Sequence, residues 1–278
     1  MRLLLVRHGE TVDNVAGLYA GIRDSALTAH GVLQARRLAS HLATRSALVG
    51  SVTNVFSSDL QRAANTAQAI IDAQGPPRQG PSSLAIPDRT QVRLVKVPDL
   101  RERNFGSAEG KRFGAPRADA ESHEEMRARA ARFVRNQLDP VLAREAGHRG
   151  VVVVVSHGIL LNSLLRVLLM RHAPEELARM SATTRSEYLT SWSNTGYVEM
   201  AVRNLATPRP SSGGKAPSSP PRLELVLIAS NVTTHLDGLK KTRGGIGSSQ
   251  FDNRQRTMDA FLARSAKKRR IEGDSKGN

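Results

Sequence analysis

The chain has no cysteine among its 278 residues, so disulfide frameworks, thiolate metal sites and cysteine nucleophiles are excluded. Carboxylates are scarce too: Asp and Glu number 25 against 41 Lys and Arg, a formal net charge of +16. Such a balance favours anionic partners, whether phosphorylated metabolites, nucleic acid or an acidic protein surface, and there are more cations than one site could use. A long unbroken apolar run is also missing. The most apolar region, Val151 to Met170, carries Ser156, His157, Asn162 and Arg166, which argues against a membrane span. Met1 to Val6 is too short for the apolar core of a secretory signal and runs straight into Arg7 and His8. These lacks point to a soluble intracellular protein. Hydrophobic content is only 39%, so part of the chain is expected to lie outside the core.

What is present is a set of strand-length apolar runs that stop abruptly at polar groups. Leu3-Leu4-Leu5-Val6 ends in Arg7-His8-Gly9-Glu10-Thr11, and Val151 to Val155, five β-branched residues without alternation, ends in Ser156-His157-Gly158. Continuous β-branched runs mark parallel strands buried on both faces, and open α/β sheets bind ligands at the carboxyl ends of such strands. Taken alone, Arg7 and His8 fit a core histidine beside a solvated arginine. Two strands each ending in histidine then glycine are more specific, because neighbouring strands would bring His8 and His157 together. His157 also precedes the helix expected from Ile159 to His172, whose N-terminus favours an anion.

Between these runs, Thr28 is a suitable N-cap for a helix carrying Val32, Ala35, Leu38, Ala39 and Leu42. Asp13 to Thr28 reads as a polar loop that could fold back over the first strand, bringing Asn14 to the same mouth. Val52 to Phe56 reads as a second strand, followed by a helix from about Leu60 to Ala73 with Arg62 in its first turn. A cation there opposes the helix dipole, a mild hint of function against the plainer reading of an arginine reaching solvent. Val92 to Val97 reads as a strand leading to Glu102, whose basic neighbours suit an ion pair more than proton transfer on spacing alone. A charged amphipathic helix is expected from His123 to Leu138, closed by Pro140 and Gly147. Tyr197 to Val202 and Leu223 to Ser230 complete the strands, with a Pro, Ser and Gly tract at 207–222 expected to be a disordered insertion.

Arg7-His8-Gly9-Glu10-Thr11, Ser57-Ser58-Asp59-Leu60-Gln61-Arg62, Leu100 through Glu102 to Gly110, and Val155-Ser156-His157-Gly158 together resemble the histidine phosphatase superfamily, also called phosphoglycerate mutase-like. The resemblance covers residues 1 to about 236. Arg185-Ser186-Glu187, Asn194-Thr195-Gly196, and Asn231 through His235 to Leu239 further resemble its TIGAR-type, fructose-2,6-bisphosphatase-like branch. The resemblance implies a three-layer α/β/α sandwich with a mostly parallel central sheet. It implies His8 as nucleophile, Arg7, Arg62 and His157 as holders of the phosphoryl oxygens, and Glu102 as proton donor and acceptor. Asn14 and the Gly21 loop would shape the pocket, and no metal or cofactor is implied because side chains supply the cations. A small phosphorylated metabolite such as a sugar bisphosphate is the implied substrate; a phosphoprotein or a mutase reaction at the same centre remains an alternative. The family's Gly-Gly-Glu-Ser/Thr segment is met here only by Ala120-Glu121-Ser122, and the basic loop Lys111-Arg112-Phe113-Gly114 would suit a second anionic group or simply be solvated.

The domain is expected at 1–236, with a disordered basic tail at 237–278. Gln255-Arg256-Thr257-Met258-Asp259-Ala260-Phe261-Leu262 resembles a PIP box, the motif that docks on the sliding clamp PCNA. Gln255, Met258, Phe261 and Leu262 would make the contacts, although Leu262 stands where a second aromatic is usual. The cluster Lys267-Lys268-Arg269-Arg270 resembles a nuclear localisation signal, so a nuclear or cytoplasmic location is expected. Nonspecific contact with nucleic acid through phosphates, or plain solvation, would account for the same charges.

Overall fold

A computed structural model describes residues 1–49, 52–74, 92–183, 189–205, 223–240 and 246–252. Arg185-Ser186-Glu187, the tract 207–222, the PIP-box-like motif and the cluster at 267–270 lie outside the described residues. Six strands form one sheet: β1 (Arg2–Arg7), β2 (Val52–Ser57), β3 (Leu94–Lys96), β4 (Val151–Ser156), β5 (Tyr197–Asn204) and β6 (Leu223–Val232). Their order is β3-β2-β4-β1-β5-β6. β3, β2, β4 and β1 run parallel, and β5 is antiparallel to both its neighbours. The mostly parallel sheet expected from the valine run is therefore present, with β4 at its middle and every residue of that strand buried.

Successive side chains on a strand face opposite ways, and this sorts the core into two layers. Leu3, Leu5, Val152 and Val154 pack with residues of α4 (His123–Phe133), α5 (Asp139–Glu145) and α6 (Gly158–His172). Leu4, Val6, Val153 and Val155 pack with α2 (Ala29–Val49) and α3 (Gln61–Asp72). Each fully buried leucine or valine of these layers contributes about 1.5–3 kcal/mol, which fixes the register of the sheet and the strand ends that carry the polar residues. No helix among the described residues is long and apolar enough to cross a membrane.

Several boundaries differ from the sequence reading. The polar stretch after His8 contains a one-turn helix, α1 (Val12–Ala16), capped reciprocally by Thr11 and Asn14. Pro140 does not close the helical region: a π-turn over Val134–Leu138 precedes it, and α5 continues to Glu145. Proline is tolerated early in a helix, where its missing N–H leaves no bond unmade. β3 is only three residues long, shorter than the expected strand from Val92. Thr28 does cap α2, accepting from the Gly31 N–H at 2.9 Å.

The described chain also continues to contact the domain beyond Leu236. Thr28 pairs with Gln250 in an isolated bridge, and the Phe251 N–H donates to the Leu27 carbonyl at 3.0 Å. Residues 246–252 are thus strapped across the start of α2, so the domain reaches past the expected limit.

Candidate active site

β1 and β4 are neighbours in register, Arg7 opposite Ser156, so the residues that follow each strand leave the sheet side by side. The His8 N–H donates to the Ser156 carbonyl at 3.0 Å, and the two imidazole centroids stand 5.0 Å apart at 60°. Both rings are buried.

Their protons are placed by their partners. His8 Nδ1 lies 2.7 Å from the Gly9 carbonyl oxygen, which can only accept, so Nδ1 carries the proton and the Nε2 lone pair is free. His157 Nδ1 is 3.2 Å from Arg62 Nε, which can only donate, so its proton is on Nε2. That Nε2 is buried and has no protein partner. One ring therefore offers a lone pair and the other a proton, in the same place.

Burial first, then the Arg62 and Arg7 guanidiniums, hold the His8 imidazole well below the usual histidine range. Burial, Arg62, His8 and Arg7, in that order of weight, do the same to His157. His235 is pushed down to about 4 by burial and by His41. These rings are neutral when folded but protonate in the unfolded chain near pH 6.5, so the unfolded state takes up the extra protons as the solution is acidified. Stability is thus full above about pH 6.5 and falls below it, by up to about 1.4 kcal/mol per pH unit for each ring, until the folded-state value is reached. Thermal unfolding followed from pH 7.5 down to 5 is expected to show a falling midpoint; a flat profile would contradict neutral burial.

Arg62, first turn of α3, is almost fully buried rather than reaching solvent. It donates from Nη1 to the Arg23 carbonyl and from Nη2 to the Gly21 carbonyl, each at 2.6 Å. Its charge is held against the helix dipole by these two loop carbonyls, and the Gly21 loop is in turn held over the site by Arg62. Gly21 has φ +55°, and a Cβ there would come within 2.1 Å of a Glu109 carboxylate oxygen, so glycine is required. Arg7 donates to the Trp192 carbonyl at 2.5 Å, while its Nε is buried without a partner.

Glu102 is not tied up by its basic neighbours. Arg101 pairs with Asp59, and Arg103 donates to the Glu121 carbonyl. The Glu102 carboxylate instead accepts from the backbone N–H groups of Arg103 at 3.0 Å, Ile159 at 3.2 Å and Leu160 at 3.0 Å. This seats the carboxylate at the N-terminus of α6, whose first residue follows His157 in the chain.

Arg7, His8, Asn14, Gly21, Arg62 and Glu102 all line one cavity of about 600 Å³. His157 is not among the lining residues; its buried ring stands next to that of His8. A free imidazole lone pair, two guanidiniums and a carboxylate around one space, with a buried N–H donor on the adjoining ring, are the parts that transfer of a phosphoryl group needs. The description "Histidine phosphatase superfamily (branch 1)" fits residues 3–204 of this sequence.

The chain belongs to the histidine phosphatase superfamily.

A Schizosaccharomyces pombe protein named as a probable phosphatase is 30% identical over 273 residues, spanning 94% of this chain and 79% of its own. A Yersinia enterocolitica protein named as the probable phosphoglycerate mutase GpmB is 31% identical over 217 residues, 71% of this chain and 90% of its own. Among solved structures, a mycobacterial glucosyl-3-phosphoglycerate phosphatase in complex with VO3 has a TM-score of 0.57 at 22% identity, covering 83% of this chain and 98% of its own. Phosphoserine phosphatase from Entamoeba histolytica with 3-phosphoglyceric acid gives 0.53 at 22% identity, over 84% of this chain and 98% of that one. The structural matches carry the fold; the family and its hydrolase chemistry rest on the sequence matches.

In this histidine phosphatase, other expected residues fall elsewhere. Ala120-Glu121-Ser122 does not wall the cavity: Glu121 binds Arg129 at 2.6 Å and Ser122 caps α4. Of the loop Lys111 to Gly114 only Phe113 lines the cavity. Asn14 lines it, but its Oδ1 accepts from the Thr11 N–H and Asn194 Nδ2, both at 3.2 Å, so it also braces the loops.

The sequence reading missed the support behind His8. The Thr195 N–H reaches the carbonyls of both Arg7, at 3.1 Å, and His8, at 3.2 Å, and Asn194 Nδ2 reaches that of His8 as well. Thr195 adopts φ 57°, a conformation costly for a β-branched residue, and its hydroxyl bonds His235 Nε2 at 2.9 Å. The Asn194-Thr195-Gly196 motif was the available signal. Also missed was the aromatic wall of Tyr19, Phe105, Phe113 and Trp192, although the single tryptophan and scarce tyrosines of the chain could have drawn notice.

Proposed function

We propose that this protein hydrolyses a phosphomonoester through a phosphohistidine on His8. The observation that carries the reading is the pair of opposite tautomers: an Nε2 lone pair on His8 and, on a ring whose centroid is 5.0 Å away, a protonated, unpartnered Nε2 on His157. His8 Nε2 bonds to phosphorus as the ester oxygen leaves, and Glu102 gives that oxygen its proton. Arg7, Arg62 and His157 hold the phosphoryl oxygens as charge builds on them. Water then attacks the phosphohistidine, Glu102 takes the water's proton, the P–N bond breaks and phosphate departs. Asn14 and the Gly21 loop shape the entrance.

Glu102→Gln tests the proton transfer. For an alkyl phosphate kcat is expected to fall by roughly 10²–10⁴-fold. With 4-nitrophenyl phosphate, whose leaving group needs no proton, the stopped-flow burst of nitrophenol should survive while the slow second step is impaired. Loss of that burst together with alkyl turnover would remove Glu102 from the role.

A small phosphorylated metabolite is the proposed substrate, a reading supported by relatives named for metabolite phosphatases and mutases. The branch resemblance at Asn194-Thr195-Gly196 and His235 would make it a sugar bisphosphate. Its second phosphate would look to Lys111 and Arg112, which are exposed and do not line the cavity, so a single phosphate is the favoured form. The mutase alternative is supported by the GpmB name and predicts interconversion of phosphoglycerates without net phosphate release.

The tail motif supports a second role, as a nuclear adaptor that brings the domain to the sliding clamp through Gln255, Met258, Phe261 and Leu262. The strap at 246–252 favours it by fixing the last described residues on α2, a few residues before Gln255. Titration of peptide 250–270 against purified clamp should give saturable binding; none at high micromolar concentration would remove this reading.

A further inference from the structure

The cavity has two halves of opposite character. Its floor is cationic and hydrogen-bonding, but its outer wall is built from Leu18, Tyr19, Phe105, Phe113, Leu189 and Trp192. Tyr19 is the hub of the rings, 4.6 Å from the Phe105 centroid and 5.0 Å from that of Phe113. Phe113 is 59% exposed, so its ring offers apolar area at the cavity that a bound body could cover.

Apart from the Trp192 indole N–H, which is buried without a partner, the polar side chains interspersed with the rings are largely committed to the protein. Asn162 donates to the Gly158 carbonyl and accepts from the Thr190 N–H, and the Thr190 hydroxyl is shared with Ser191 and Ser230. Arg7 and Arg62 are the basic residues among those lining the cavity, and both belong to its floor. A second phosphate or a polyhydroxyl body would therefore lose water at the wall and find few partners there, at a cost an apolar body does not meet.

From this wall we infer that the substrate is a monophosphate ester whose body is flat and apolar or aromatic, seated between Phe113 and Trp192, rather than a bisphosphate or a polyol phosphate. The inference rests on the phosphatase reading and narrows it. Edge or offset packing against Tyr19, Phe105 and Phe113 would hold the body while its ester oxygen faces His8 and Glu102.

Phenethyl phosphate, glycerol 3-phosphate and fructose 1,6-bisphosphate compare bodies at matched reactivity, because each can leave through a primary alkyl oxygen. With the full-length protein, kcat/KM for phenethyl phosphate is expected to exceed both others by roughly tenfold or more, mainly through KM. Phe113→Ser should raise KM for phenethyl phosphate by a larger factor than for glycerol 3-phosphate. Equal values, or preference for the bisphosphate, would overturn the apolar-body inference while leaving His8-dependent hydrolysis standing. Hydrolysis of none of the three by the wild type, with the His8→Ala variant as blank, would overturn the phosphatase reading and this inference with it.

Discussion

Replacing His8 by alanine is expected to lower kcat/KM for every phosphomonoester by roughly 10⁴-fold or more, because no other group can take its part in a two-step reaction. In the proposed reaction the imidazole supplies the bond that holds the phosphoryl group between the two halves. His157 cannot substitute: its Nδ1 faces Arg62 and its Nε2 carries the proton. The oxygen-holding groups remain in the variant, so binding of inorganic phosphate should weaken far less than turnover. Rapid quenching with a labelled substrate should give an acid-labile, alkali-stable phosphoprotein in the wild type and none in the variant. Retention of activity within about tenfold of wild type would rule out His8 as nucleophile.

Arg62→Ala is expected to damage both folding and catalysis, and this distinguishes it from the His8 change. The side chain is buried and its guanidinium serves Gly21, Arg23 and His157 at once. Removal leaves the two loop carbonyls without donors, at about 1–3 kcal/mol each where they cannot reach water, and frees His157 to change tautomer. A loss of roughly 10²–10³-fold in kcat/KM is expected from the missing phosphoryl contact, together with a lowered unfolding midpoint. Arg62→Lys keeps the charge as a point but not the fork, so it should recover stability in part and activity less. A variant with unchanged midpoint and activity within about threefold would show that Arg62 neither holds the Gly21 loop nor stabilises transferred charge.

Much of this site could be read from local pattern. Val151 to Val155 read as a strand covered on both faces, and its likeness to Leu3 to Val6 meant that His8 and His157 would converge if the two strands were neighbours, which the sheet shows they are. Thr28 as a cap and α6 after Gly158 were legible because caps and apolar spacing act over a few residues. Glu102 was not legible on spacing, since the guanidiniums beside it in sequence turn to Asp59 and to the Glu121 carbonyl, while two of its three N–H partners are 57 and 58 residues away. Pro140 misled because it stands in the first turn of α5, where its missing N–H leaves no bond unmade.

By itself, then, the sequence determined the chemistry on offer: no thiol, an excess of cations, and two histidines delivered to the ends of buried strands by continuous apolar runs, one leucine-rich and one all valine. Only tertiary structure decided how those groups act. The proton on each imidazole follows from a partner across the fold, Gly9 for one ring and Arg62 for the other. The apolar wall likewise gathers residues from segments as distant as Leu18 and Trp192, and a hydrogen bond or a packed ring is a short-range contact that spacing along the chain cannot announce.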